Sequence, residues 1–421
     1  MIGIDRRAAR LVAPWLLAVA ASVAAAAFAP DARAQTREEK TIREDMNPRA
    51  TTTPLEVVFK PFYCPICAKA NPTIGETPPL EFVRKPLATF VEQLGLEEPP
   101  LVLFTPHFKL LSTLRGANVK VTDTTYGHAD LERLKSILPK VSIGREGALL
   151  DAHQRAHLYG IRLERVYAHF SALTGNTKPY LGMPLPYEVY LFAEYEHHHA
   201  FVDRYIGGRN DKGAVQWHFT QEKGKAFGAK PGDPDVDLKN FIALTIAESQ
   251  VALTIGKGDG AMATHVYHNV AHLLVDGLDN YLRETPAWIE EGLGHYYERR
   301  ESVRWPTFCW AEGKAPTMFM KPDWESTIFT IVRRDRDAPF AQWCEKLQPG
   351  ELTGIENGLS WSVVTWLIET EPVRFAKLLG TIHDRTTNPT SAQQIDAGFG
   401  VSPSVLYQRW REYVLKNYLG K

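Results

Sequence analysis

Two histidines four residues apart, His268 and His272, lie in the run 263–277 (ATHVYHNVAHLLVDG), and the pair Glu290–Glu291 follows in the run 285–298 (TPAWIEEGLGHYYE). Residues four apart share one face of an α-helix, so the two imidazoles can point at one spot. If the second run folds back on the first, Glu291 brings a carboxylate to that spot. Two histidine nitrogens, one carboxylate oxygen and an open position are what a catalytic zinc ion needs. Such a centre performs hydrolysis, because the ion lowers the pKa of its bound water to roughly 7. Both runs read as helices. Thr285 offers a cap, Pro286 a first-turn proline, and Gly277 a stop, while Trp288, Ile289 and Leu293 form an apolar stripe. Gly292 permits close approach to a neighbouring helix. Asp276, one turn beyond His272, is placed to accept the imidazole N–H remote from the metal. His265 and His295 are near enough to be ligands or to support one.

The pair of runs resembles the gluzincin metallopeptidases, most nearly the bacterial peptidase MA-like families. Their pattern is His-Glu-x-x-His on one helix and Pro-x-Trp-x-x-Glu-Gly on the next. The resemblance puts His268 and His272 on the histidine ligands and Glu291 on the carboxylate ligand. It extends over roughly 101–418, and 356–379 and 397–414 look like the closing helices of that family. It implies a zinc cofactor, a zincin-like sheet-plus-helix lobe, a C-terminal helical lobe, a cleft between them and a peptide or protein ligand. One position departs from the pattern. Where the family has the general-base glutamate, this chain has Asn269, whose amide takes up no proton at neutral pH. The expectation is therefore a zinc-binding protein with impaired or lost peptide hydrolysis. Two alternatives stand beside it: an active zinc peptidase using another base, and a non-enzymatic structural or thiol-redox protein. Glu290 is the nearest substitute base, although a helix turns it roughly 100° away from Glu291. Tyr296 and Tyr297 lie near the motif as oxyanion candidates without a pattern to support them.

The elements that position these residues give an α+β order. Strand-like runs fall at 101–111, 187–195, 215–220 and 241–246, with an amphipathic helix at 149–173 and a short one at 197–206. The helical remainder falls at 324–333, 341–347, 359–370, 373–383, 391–399 and 403–418. The expected division is a signal peptide 1–34, an N-terminal segment 35–100, a metallopeptidase-like core 101–300 and a mostly helical lobe 301–421. The helix carrying His268 would line the cleft.

The first 34 residues have secretory grammar: Arg6, Arg7 and Arg10, an apolar run 11–29, and Ala32-Arg33-Ala34 as a cleavage site. That predicts a secreted or periplasmic protein with no membrane anchor after cleavage. Removing this segment takes four arginines and two aspartates, moving the formal charge from −1 to −3. A near-neutral chain without a basic block has no nucleic-acid footprint. Cys64-Pro65-Ile66-Cys67, after a strand-like run 55–62, resembles a thioredoxin-type start, but Pro72, Pro78 and Pro79 break the helix that should follow. A structural disulfide or a small metal knuckle fits better, with Cys309 and Cys344 available to complete two disulfides or a four-thiolate site. His153 and His157, also four apart, read as a surface pair on a solvated face with Arg155, Arg162 and Glu164. His197, His198 and His199 read as surface histidines at a helix start.

Overall fold

Period-two alternation builds a five-stranded sheet from β1 (Leu101–Phe104), β2 (Phe108–Ser112), β5 (Tyr187–Phe192), β6 (Val215–Phe219) and β7 (Phe241–Ala247), in the order β1-β2-β5-β7-β6. β5 runs parallel to both β2 and β7, and the outer pairs β1–β2 and β6–β7 are antiparallel. All six residues of β5 are buried, as expected of a central parallel strand covered on both faces. Leu110, Val189, Leu191, Leu244 and Ile246 face the main core, and Leu111, Tyr190, Phe192 and Ala243 face a smaller one shared with Phe201. A separate two-stranded ladder pairs β3 (Ala117–Lys120) with β4 (Gly147–Leu150). The computed structural model describes residues 64, 66–67, 94–96, 100–205, 213–219, 241–279, 285–308, 312, 316–382 and 389–418. The expected signal peptide 1–34, the strand-like run 55–62 and Cys309 lie outside them. None of the described helices is long and apolar enough to cross a membrane.

Ten of the described helices fall close to their sequence-predicted places, and those at 127–137 and 248–254 have no counterpart in the sequence reading. In chain order the helices are α1 (Gly127–Ile137), α2 (Ala152–Thr174), α3 (Tyr195–Tyr205), α4 (Glu248–Thr254), α5 (Asp259–Gly277) and α6 (Ala287–Glu301). They continue as α7 (Trp324–Arg333), α8 (Phe340–Trp343), α9 (Gly354–Thr370), α10 (Pro372–Ile382), α11 (Ser391–Phe399) and α12 (Pro403–Asn417). The protein is thus a mixed α/β structure with a small mixed sheet. α2 starts later than its apolar period suggested, because Leu149 and Leu150 belong to β4. Asp151 then caps the helix, accepting from Gln154 N at 2.7 Å while Gln154 Oε1 accepts from Asp151 N at 3.0 Å.

The solvated face expected on α2 is buried instead. Arg155, Arg162 and Glu164 are each 1% exposed. Asp259, in the first turn of α5, is the reason for the two arginines. It accepts from Arg155 Nε at 3.0 Å, Arg162 Nη1 at 2.6 Å and Tyr159 Oη at 3.1 Å, locking α2 to α5. Glu164 accepts from Thr105 Oγ1 and from the His107 backbone N–H. His198 is likewise interior, packed near Phe192 and Tyr195, and only His199 of the triplet is exposed.

Every one of the 19 residues of α5 is buried, its polar side chains included, where the sequence reading had the helix lining a cleft. α6 packs on α5 along one side and on α9 along the other. Gly292 makes the second contact possible, since a Cβ there would lie 2.4 Å from Val364 Cγ2 and 2.8 Å from Ser360 O. Thr285 does not cap α6: Pro286 holds that position, and the Thr285 hydroxyl donates to Asp276 Oδ1 at 3.2 Å.

Candidate metal centre

α5 and α6 bring His268, His272 and Glu291 together. Glu291 Oε2 stands 3.4 Å from His268 Nε2 and 3.7 Å from His272 Nε2. A four-coordinate ion bonded at roughly 2.0–2.2 Å to each atom would set such edges at about 3.3–3.5 Å. His268 and Glu291 are 0% exposed and His272 is 7% exposed.

The protons make the case for a cation. His268 Nδ1 is 3.0 Å from Glu298 Oε2 and donates to it, so Nε2 turns a lone pair toward Glu291. Neither Glu291 oxygen has a hydrogen bond of sound geometry among the described residues, and nor does His272 Nε2. Lone pairs facing one another in a buried site repel, and either a proton on Glu291 or a positive ion among them reverses the sign. Burial pushes His272 down to about 3, so it is present as the neutral imidazole that ligates metals. Burial first and the Glu312 carboxylate second raise Glu291 above the usual carboxylate range. Backbone geometry leaves room: a Cβ on Gly294 would fall 2.6 Å from His272 Nε2 and 2.9 Å from His268 Nε2. These donor atoms fit a divalent metal.

Around the three ligand candidates lies an acidic cage. Glu298 accepts from His268, from His295 Nδ1 at 3.0 Å and from Thr307 N at 3.0 Å. Burial alone would raise Glu298, but the His295 and His268 contacts outweigh it and hold the carboxyl down at about 2. His295 bridges Glu298 and Glu312, with Nε2 3.0 Å from Glu312 Oε1. Burial works against its protonation, yet the Glu312 and Glu298 carboxylates carry it up to about 9. His295 also stands where it could itself share an ion, with His268 and Glu298 or with Glu291 and Glu312. Glu312 Oε2 lies 3.9 Å from His268 Nε2, close enough for the carboxylate to reach the same centre.

The other sequence candidates fall as follows. Asp276 turns to Gln216 on the edge strand β6, accepting from its Nε2 at 2.7 Å, and to Thr285. The group beside His272 Nδ1 is instead Glu290 Oε1, at 3.3 Å. Glu290 is raised well above the usual range by burial first, then by Asp276 and Glu291. His265 is buried and pushed down to about 3 by that burial, and it sits outside the three-ligand group. Asn269 Nδ2 donates back to His265 O at 2.8 Å, along its own helix. Tyr296 Oη accepts from Arg300 Nη1 at 2.7 Å, and Tyr297 Oη meets His169 Nδ1 at 2.9 Å.

Of the two cysteine expectations, no disulfide joins Cys64, Cys67 or Cys344, and a small metal knuckle remains open but without Cys344. Cys64, Cys67 and Cys344 are free thiols, and Cys344 is buried apart, pushed up to about 12 by that burial. What completes the Cys64–Cys67 pair is His153 and His157, and His157 is 1% exposed rather than a surface residue.

Glu298, Glu312 and Gly294 carried no role in the sequence reading. Glu298 had a legible signal: it lies seven residues after Glu291 on one helix, two turns along the same face. Glu312 had none, since it lies beyond the end of α6 at Glu301 and no helical spacing relates it to Glu291. No protein-family model, curated protein or solved structure matches the chain.

Proposed function

We propose that the protein is an exported, zinc-holding relative of the gluzincin metallopeptidases whose peptide hydrolysis is impaired or lost. On this reading, the sheet with α5 and α6 corresponds to the zincin lobe and the helices from α7 onward to the closing lobe. The observation that carries the proposal is the meeting of His268 Nε2, His272 Nε2 and Glu291 Oε2 in a buried site, with Glu298 fixing the tautomer of His268. Export rests on Arg6, Arg7 and Arg10 ahead of the apolar run 11–29.

Bound zinc would supply an acidified water and a polarised carbonyl. His268, His272 and Glu291 would hold it, and Glu298 would orient His268. What this set lacks is a proton acceptor at position 269, where the amide is spent on the His265 carbonyl. Loss of a general base slows such chemistry by about 10²- to 10⁴-fold. The protein would then act by holding a peptide or protein ligand. Gln216 ties the edge strand β6 to α5, and an edge strand is where an extended peptide pairs.

A second reading has one observation in its favour: Glu290 Oε1 reaches to 3.3 Å from His272 Nδ1, so a carboxylate does stand beside the ligands. It would make the protein an active peptidase with a displaced base. One experiment separates the two. Zinc-loaded wild type, Asn269→Glu and Glu290→Gln are assayed on a mixed peptide pool. The proposal expects little turnover from wild type, a rise of about 10²-fold or more in Asn269→Glu, and no effect of Glu290→Gln. Robust wild-type turnover abolished by Glu290→Gln would replace it with the second reading.

A further inference from the structure

A second group of metal-type side chains lies outside the centre just described, where an N-terminal segment meets the start of α2. Cys64 and Cys67 turn inward, 3% and 9% exposed, while Ile66 between them faces out at 45%. His153 and His157, one turn apart on α2, face them. Cys64 Sγ is 3.2 Å from His153 Nε2, Cys67 Sγ is 3.4 Å from the same nitrogen, and Cys67 Sγ is 3.5 Å from His157 Nε2. All four donor atoms lie within 4.8 Å of one another.

We infer that Cys64, Cys67, His153 and His157 form a closed, tetrahedral zinc site that fastens the N-terminal segment to α2. The distances argue for it. With zinc–sulfur bonds of about 2.3 Å and zinc–nitrogen bonds of about 2.0–2.1 Å, tetrahedral angles set each sulfur–nitrogen edge at roughly 3.5 Å. The three edges fall between 3.2 and 3.5 Å. Hydrogen bonding alone accounts for the group less well, because His153 Nε2 approaches both sulfurs and one proton shared between them makes two weak bonds. The ligand types agree as well: two thiols spaced Cys-x-x-Cys and two imidazoles one helical turn apart are a borderline-soft set suited to zinc. Four protein ligands leave no open position, so the site is structural and performs no hydrolysis.

Its value to the fold follows from the spacing. Cys67 lies 86 residues from His153 and 90 from His157, so the ion closes a long loop, and long loops gain most from a clip. The clip lands on a helix already held at both ends of its first turns, by the Asp151 capping box and by the Arg155–Asp259 pair. The segment is thereby tied to the same helix that braces α5.

The test needs no variant to begin. The full chain, purified under reducing conditions, is loaded with cobalt(II) or with zinc. A thiolate-bound cobalt gives a charge-transfer band in the near ultraviolet, which a site made of histidines and a carboxylate cannot produce. The inference expects that band, zinc at about two ions per chain, and a fall to about one in the Cys64→Ser, Cys67→Ser double variant with the band lost. The His268→Ala, His272→Ala pair should lose the other ion and keep the band, so each centre fails or stands independently. Should the double cysteine variant not fold, alkylation of the wild-type thiols decides: Cys64 and Cys67 are protected with zinc and react once it is chelated. Absence of the band in cobalt-loaded wild type, zinc content indifferent to the cysteines, or thiols equally reactive with and without zinc would overturn it.

Discussion

Replacing Gly294 with alanine isolates the metal centre from the fold. On backbone grounds the change should help, since glycine within a helix is about 0.5–1 kcal/mol worse than alanine. The added methyl, however, would stand 2.6 Å from His272 Nε2, and ordinary contact begins at 3.4 Å. That nitrogen must retreat by about 0.8 Å, several times the roughly 0.2 Å within which ligand distances must hold. His268 Nε2, at 2.9 Å, must retreat as well, against the Glu298 bond that fixes its ring. Gly292→Ala is the matched control two residues away. Its methyl strikes Val364 and the Ser360 carbonyl first, a packing collision between α6 and α9 worth about 1–3 kcal/mol. Zinc content and competition against a chelator, each paired with a thermal melt, read both effects. We expect Gly294→Ala to lose the ion held by the histidines with little change in the metal-free melting temperature, and Gly292→Ala to keep the ion and melt earlier. Gly294→Ala binding that ion as tightly as wild type would refute the placement of the site.

Other perturbations follow from the same contacts. Glu298→Gln keeps the shape but weakens the charged acceptor of His268 Nδ1, so affinity for the ion should fall by about 10- to 100-fold in a zinc-buffer titration. Asp259→Ala leaves Arg155 with Glu248 and Arg162 with Asp130 as their remaining carboxylates in the interior, and should cost about 3 kcal/mol by chemical denaturation. Acid should act through the same carboxylate. Burial favours protonating Asp259, but Arg162 and Arg155 outweigh it and hold the group below its ordinary value, with Tyr159, Asp123, Asp130 and Glu248 also around that cluster. A depressed carboxylate stabilises fully above its unfolded pKa of about 3.9 and loses that contribution as pH falls through the folded value. Urea midpoints should therefore drop below about pH 4 in wild type and less so in Asp259→Asn.

Much of this arrangement was legible in the sequence because periodicity reports directly on buried faces. The strands at 187–192 and 241–247 and the helices at 324–333 and 391–399 lie where their apolar runs place them. The spacing of His268 and His272 and the Glu-Gly pair brought the ligand candidates together for the same reason. What escaped was long-range. Arg155, Arg162, His153 and His157 look like a solvated face until Asp259, Cys64 and Cys67 arrive from 86 or more residues away to satisfy them. Polar side chains carry no local mark of a distant partner. Asp276 failed as the support of His272 because Gln216 and Thr285, on neighbouring elements, claim its two oxygens.

Anomalous scattering at the zinc edge from crystals of the zinc-loaded protein tests the central claim most directly. The account predicts a peak bonded at about 2.0–2.2 Å to His268 Nε2, His272 Nε2 and a Glu291 oxygen. Electron density for the three side chains with no peak among them, or a peak there that leaves Glu291 unbound, would contradict it.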